Sequence, residues 1–138
     1  MALRHKIQFM CGLVFLILGS LIYIAYRKDT LIMFRWFNYV GFDFKLIRKS
    51  INYSIPNFIK YSMPDGLWLL AYQLIVGSIW ENILSKVSMF CIYSMPVVIL
   101  IEEILQKFGL IDGTFDYKDI LCYIVSVILS IIIILKVK

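Results

Sequence analysis

Residues 120–137 read ILCYIVSVILSIIIILKV, and this run decides the class of fold. It carries no charge before Lys136. A helix needs about 20 apolar residues to cross about 30 Å of hydrocarbon, and the run is close to that length. Its end, Lys136 and Lys138, is suited to reaching back to lipid headgroups. Three further runs share this character. Residues 87–105 contain Pro96 and end near Glu102 and Glu103. Residues 67–83 are shorter, with Glu81 near the far end. Residues 7–26 are uncharged and follow Arg4, His5 and Lys6. That basic start resembles the beginning of a signal peptide. The apolar run is too long for one, however, and no small-x-small cleavage pattern follows, so it reads as an uncleaved span.

Composition agrees. Of 138 residues, 62% are hydrophobic and 17% charged, and the mean hydropathy is +0.86. A soluble domain of this size has too little interior to hide that much apolar surface. The expectation is an all-α integral membrane protein with one membrane domain over residues 1–138. It has four transmembrane helices (7–26, 67–83, 87–105 and 120–137) and an interfacial amphipathic segment between the first and second. Four spans put both termini on one side. The links 27–66 and 107–119 then share the opposite side, and a tight turn around Lys86 joins the middle spans. Those two links hold nine of the 14 Lys and Arg residues, which favours a cytoplasmic position for them; the basic N-terminus argues the other way.

The long link, 27–66, interleaves aromatic and basic residues: Phe34, Arg35, Trp36, Phe37, Tyr39, then Lys45, Arg48, Lys49, Tyr53, Lys60 and Tyr61. This suits helix lying in the headgroup layer, cut into short pieces by Gly41 and Pro56. The same interleaving serves single-stranded nucleic acid elsewhere. Close flanking spans make that reading poor here, so no nucleic-acid partner is expected. Cys11, Cys91 and Cys122 sit in separate spans without CxxC spacing, and imply neither a disulfide nor a zinc site. His5 is the single histidine and lies at the N-terminus, against a Ser-His-Asp or Cys-His arrangement. No glycine-rich phosphate loop is present, and no cofactor is expected.

The chain has nine acidic residues, and their placement carries the functional argument. Asp65 opens the second span. Glu102, Glu103 and Gln106 close the third. Asp112, Asp116 and Asp119 precede the fourth. In an alternating topology all of these lie at one membrane face. Glu103 and Gln106 are three apart and share a helix face, as do Asp116 and Asp119. Gly113 permits the turn that returns the chain into the bilayer. The candidate binding residues are therefore Asp65, Glu103, Gln106, Asp116 and Asp119. Taken singly, each acid has a plainer use: Asp65, Asp116 or Asp119 as a helix cap, Glu103 as a partner of Lys107. Taken together, ionisable groups at the membrane interface are functional candidates.

Glu103-Ile-Leu-Gln106 followed by Gly113-Thr-Phe-Asp116-Tyr-Lys-Asp119-Ile-Leu resembles the VanZ-like family of small bacterial membrane proteins. The family pairs Glu-x-x-Gln at the end of one span with an Asp-x-x-Asp entry to the last. It also has an Asp near the start of an earlier span, where Asp65 stands. The resemblance covers about residues 60–135. The accompanying family Lys and His are replaced by Gly66 and Trp68, and a later Asn and Gly by Cys122 and Val125, which marks the chain as divergent. The resemblance implies a multi-pass protein of the bacterial cytoplasmic (inner) membrane, in a family named for lowered susceptibility to the antibiotic teicoplanin.

The functional expectation is a non-enzymatic envelope protein. Its acidic pocket would bind a lipid head group, a glycopeptide-type antibiotic or a cation, with membrane lipids as partners. One alternative is a subunit of an oligomeric pore or larger membrane complex, with Gly12, Gly19 and Ser20 offering a close-packing face. The other is an enzyme that uses a metal held by the carboxylates on a lipid-linked substrate.

Overall fold

A computed structural model describes residues 2–27, 31–42, 44, 55–81 and 83–137. Among them the chain is all helical, with no strand. The elements are α1 (Leu3–Tyr26), α2 (Ile32–Tyr39), α3 (Asn57–Tyr61), α4 (Met63–Ile79), α5 (Lys86–Lys107) and α6 (Tyr117–Val137).

Three of these helices, α1, α5 and α6, are long and apolar enough to cross a membrane. Three of the four expected spans coincide with helices of spanning length; in place of the fourth stands a shorter apolar helix, α4. At 17 residues, α4 is about 26 Å long, against about 30 Å of hydrocarbon. It is also displaced from the expected 67–83. Pro64 sits in its first turn, where a missing N–H costs nothing. The helix ends at Ile79 because Trp80 leaves the helical region and Glu81 adopts a positive φ of 50°. Glu81 therefore stands outside the helix.

The turn expected around Lys86 comes earlier, before Ser85. Lys86 is the first helical residue of α5, and Ser85 caps it. Ser85 Oγ accepts from the Ser88 N–H at 3.1 Å, and Ser88 Oγ accepts from the Ser85 N–H at 2.9 Å, a reciprocal capping box. Ser88 Oγ also donates to the Ile83 carbonyl and so folds the turn back onto the helix.

The short central helix α4 packs against α1, α5 and α6, which surround it. Gly12 of α1 faces Ala71 and Ile75 of α4, while Gly19 faces Pro64 and Trp68, so α1 and α4 run antiparallel. A Cβ at Gly12 would stand 2.7 Å from Ile75 Cγ1, and one at Gly19 2.9 Å from Trp68 Cδ1. Small residues here let two backbones meet, as membrane helix pairs require. Ser20 belongs to the same seam: its Oγ accepts from Trp68 Nε1 at 3.2 Å. The three residues that offered a face for oligomerisation are thus used within the chain. The α4–α6 seam is parallel and similar in kind. Gly66 lies against Cys122, and Ser126 Oγ donates to the Gly66 carbonyl at 2.7 Å.

Burial is inverted relative to a water-soluble bundle. Gln73, Ser78, Ser88 and Ser130 are fully buried, whereas Ile17, Leu21, Val97, Ile101, Ile128 and Leu135 point outward. Apolar side chains outside and small or polar ones inside is the arrangement that lipid favours.

In the long link, Gly41 (φ 88°) follows the end of α2, and Pro56 precedes α3. Phe34 of α2 is 3% exposed, stacked on Tyr23 of α1 at 6.0 Å, while Trp36 and Tyr39 stand free of the bundle. The link is thus partly anchored to the helices and partly presented outward. Lys45, Arg48, Lys49 and Tyr53 lie outside the described residues.

Candidate functional site

The alternating helix directions bring four ends to one rim: the C-termini of α1 and α5 and the N-termini of α4 and α6. Each end is shaped locally. α5 stops in a Schellman turn: Gly109 takes φ 66°, its N–H donates to the Gln106 carbonyl, and the Leu110 N–H donates to the Leu105 carbonyl. α6 starts at Asp116, whose Oδ1 accepts from the Lys118 N–H at 2.9 Å. The loop between them returns tightly because Gly113 (φ 150°) presses on Gln106; a Cβ there would lie 2.5 Å from the Gln106 carboxamide carbon.

Between these ends lies a cavity of about 620 Å³. Asp65, Glu103, Gln106, Asp116 and Asp119 all line it, together with Glu102 and Thr114. The five residues singled out in the sequence therefore surround one space. Their local roles differ. Asp116 caps α6, as one of the plainer readings anticipated. Asp65 caps nothing, since no side-chain cap bond forms at the start of α4. Glu103 does not pair with Lys107, whose Nζ lies over the Phe115 ring at 5.4 Å.

The residue that sequence reasoning missed is Arg27. It was counted among the basic residues of the long link. Instead it closes α1 and turns into the cavity, where its Nη2 stands 3.5 Å from Asp65 Oδ2 and donates to the Tyr61 carbonyl at 3.2 Å. Its guanidinium lies over the rings of Tyr23 and Tyr61. A cation at the C-cap of a helix also complements the helix dipole. The signal was present: Arg27 is the first charge after an uncharged span, on the side where the acids gather. Tyr61 and Tyr123, likewise part of the lining, carried no signal beyond their positions near helix ends.

Among the described residues, five carboxylates and one guanidinium line the cavity, and together they carry a strongly negative formal charge. Like charges crowded in a low dielectric are costly unless a cation joins them or protons are taken up. Two carboxylate oxygens are conspicuous. Glu103 is 6% exposed and its Oε2 is buried with no hydrogen-bond partner among the described residues; Asp119 Oδ1 is in the same condition. Buried acceptors of this kind are rarely left open. Among the described residues, no three acidic, histidine or cysteine side chains stand close enough to hold a metal ion. The acids reach the walls of this space from the ends of α4, α5 and α6.

Fold and site together define a multi-pass helical membrane protein with an acidic cavity at one rim. Comparison with protein-family models, curated proteins and solved structures gave no match.

Proposed function

We propose that this chain is a non-enzymatic, VanZ-like envelope protein of the bacterial cytoplasmic membrane that binds a positively charged head group in its acidic rim cavity. In this reading α4 is the second of four spans and completes the crossing with the residues flanking it. The ligand is an amine-bearing lipid head group or the amino group of an antibiotic. The observation that carries the reading is Glu103. A carboxylate oxygen buried without a partner, in a cavity with four more carboxylates, asks for a donor that also brings positive charge. Asp119 stands ready as a second acceptor, and Gln106 supplies an amide for hydroxyl or carbonyl groups.

The test is thermal stability of the purified protein in detergent, wild type against Glu103→Gln. The additives are ethanolamine, Mg²⁺, Ca²⁺ and a chelator. A ligand that binds the native state alone raises apparent stability. Ethanolamine is expected to stabilise wild type and to leave the variant unmoved. Stabilisation by Mg²⁺ or Ca²⁺ alone, reversed by chelator, would overturn this reading in favour of a metal site. Indifference of wild type to all additives would remove the binding role altogether.

A further inference from the structure

The acidic cavity does not end at the rim. Asp65, Ile99, Glu102 and Tyr123 also line a second space, of about 250 Å³, that continues between α4 and α5. Its walls follow helical spacing. On α4 they are Asp65, Trp68, Leu69 and Tyr72, and on α5 Met95, Ile99 and Glu102. From Asp65 to Tyr72 the cleft descends seven residues, about 10 Å into the apolar zone. Its polar groups therefore lie at the top, and aliphatic and aromatic groups lie below. The bottom is closed by Tyr72, whose hydroxyl donates to the Cys91 carbonyl at 2.6 Å. The outer lip carries Met95, 44% exposed on the lipid-facing side of α5. Whereas glycines bring the α1 and α4 backbones together, the α4–α5 side presents Tyr72 and Met95.

Resting on the reading that the rim cavity binds a cation, we propose that the ligand is a membrane lipid with an ammonium head, held head-first in the acidic cavity with one acyl chain in the α4–α5 cleft. The ammonium donates to Glu103 Oε2 and Asp119 Oδ1, the two open acceptors. The phosphate that links such a head to its glycerol meets Arg27, whose Nε is buried and has no hydrogen-bond partner among the described residues. The chain passes Ile99 and leaves over Met95 into the bilayer. A soluble amine would use the upper cavity alone and leave the cleft unexplained; an anionic lipid would place its charge among five carboxylates.

The experiment is native mass spectrometry of the detergent-purified protein with phosphatidylethanolamine or phosphatidylglycerol, alongside the ethanolamine stability assay. Wild type is expected to retain one phosphatidylethanolamine and to hold phosphatidylglycerol about tenfold more weakly or worse, the effect of a lost charge-assisted hydrogen bond. Glu103→Gln is expected to lose that preference. Met95→Trp, which fills the lip of the cleft, is expected to lose the lipid while still responding to free ethanolamine. On wild type, phosphatidylethanolamine with a diazirine in its acyl chain is expected to crosslink to the peptide containing Met95 and Ile99. Equal retention of the two lipids overturns the proposal. So does crosslinking confined to the outer faces of α1 and α6, or undiminished lipid binding by Met95→Trp. If these failures occur while ethanolamine still stabilises wild type, the cation site stands and the lipid assignment falls. If ethanolamine also fails, both fall.

Discussion

Asp116 and Glu103 are carboxylates at the same rim with opposite duties. Asp116 is satisfied by the backbone of α6, so its loss is a matter of stability. Asp116→Ala is expected to lower stability by about 1 kcal/mol, and Asp116→Asn to restore most of it, because the amide oxygen still caps the helix. Thermal unfolding in detergent checks both. Glu103 Oε2 has no hydrogen-bond partner among the described residues, so Glu103→Gln is expected to unfold no earlier than wild type without ligand, since the change removes a buried charge from among like charges. A clear loss of stability would show that Glu103 is structural. At Gly113 a methyl group would strike the Gln106 side chain on a backbone that disfavours any Cβ. Gly113→Ala is therefore expected to weaken ligand response as well as stability. The acidic residues were legible from sequence because acids are scarce in this chain and alternating topology sends them to one rim. Arg27 was not, because a basic residue at the end of a span has an adequate explanation in the headgroups. Which acid caps and which stays open depends on backbone geometry that spacing does not encode.

The pairing of α1 with α4 rests on absent side chains. Gly12→Leu is expected to lower stability by about 1–3 kcal/mol or more, the usual effect of overpacking, because Ile75 and the Ala71 carbonyl occupy the place a side chain needs. Trp68→Phe keeps the ring against Tyr23 and removes the bond to Ser20, with an expected loss of about 0.5–1.5 kcal/mol. Unfolding in detergent or by steric trapping in bicelles separates these effects. The spacing of Gly12 and Gly19 was visible in the sequence; its partner was not. A small-residue face reads identically whether it meets another copy or a later helix of the same chain. The start and end of α4 were misplaced for a related reason. Trp80 and Ile83 prolong the apolar run on either side of Glu81 and Asn82, and the positive φ at Glu81 and the cap at Ser85 are what end it early.

At the level of the molecule, apolar length and the absence of charge were enough to assign an all-helical chain with membrane-spanning helices. The number of crossings depends on α4, which is too short to qualify by length and is wrapped by the others. Single cysteines at Tyr39, before α4 and 95% exposed, and at Leu84, after it, in a background without Cys11, Cys91 and Cys122, address this directly. The four-crossing arrangement is expected to let a membrane-impermeant maleimide label Tyr39→Cys and Leu84→Cys from opposite sides of sealed vesicles. Labelling of both from one side would remove a crossing and with it the shared rim on which the site depends.

The helix at the centre of the bundle is made after α1 and before α5 and α6, and this sets an order for its assembly. When α4 emerges, α1 is already present, and the glycine seam closes at once. Its flank with Gly66 has no neighbour from this chain until α6 is translated. For that interval the nascent protein carries an open glycine groove in the bilayer. A chain interrupted after α5 would hold it there permanently, a ready mark for membrane quality control.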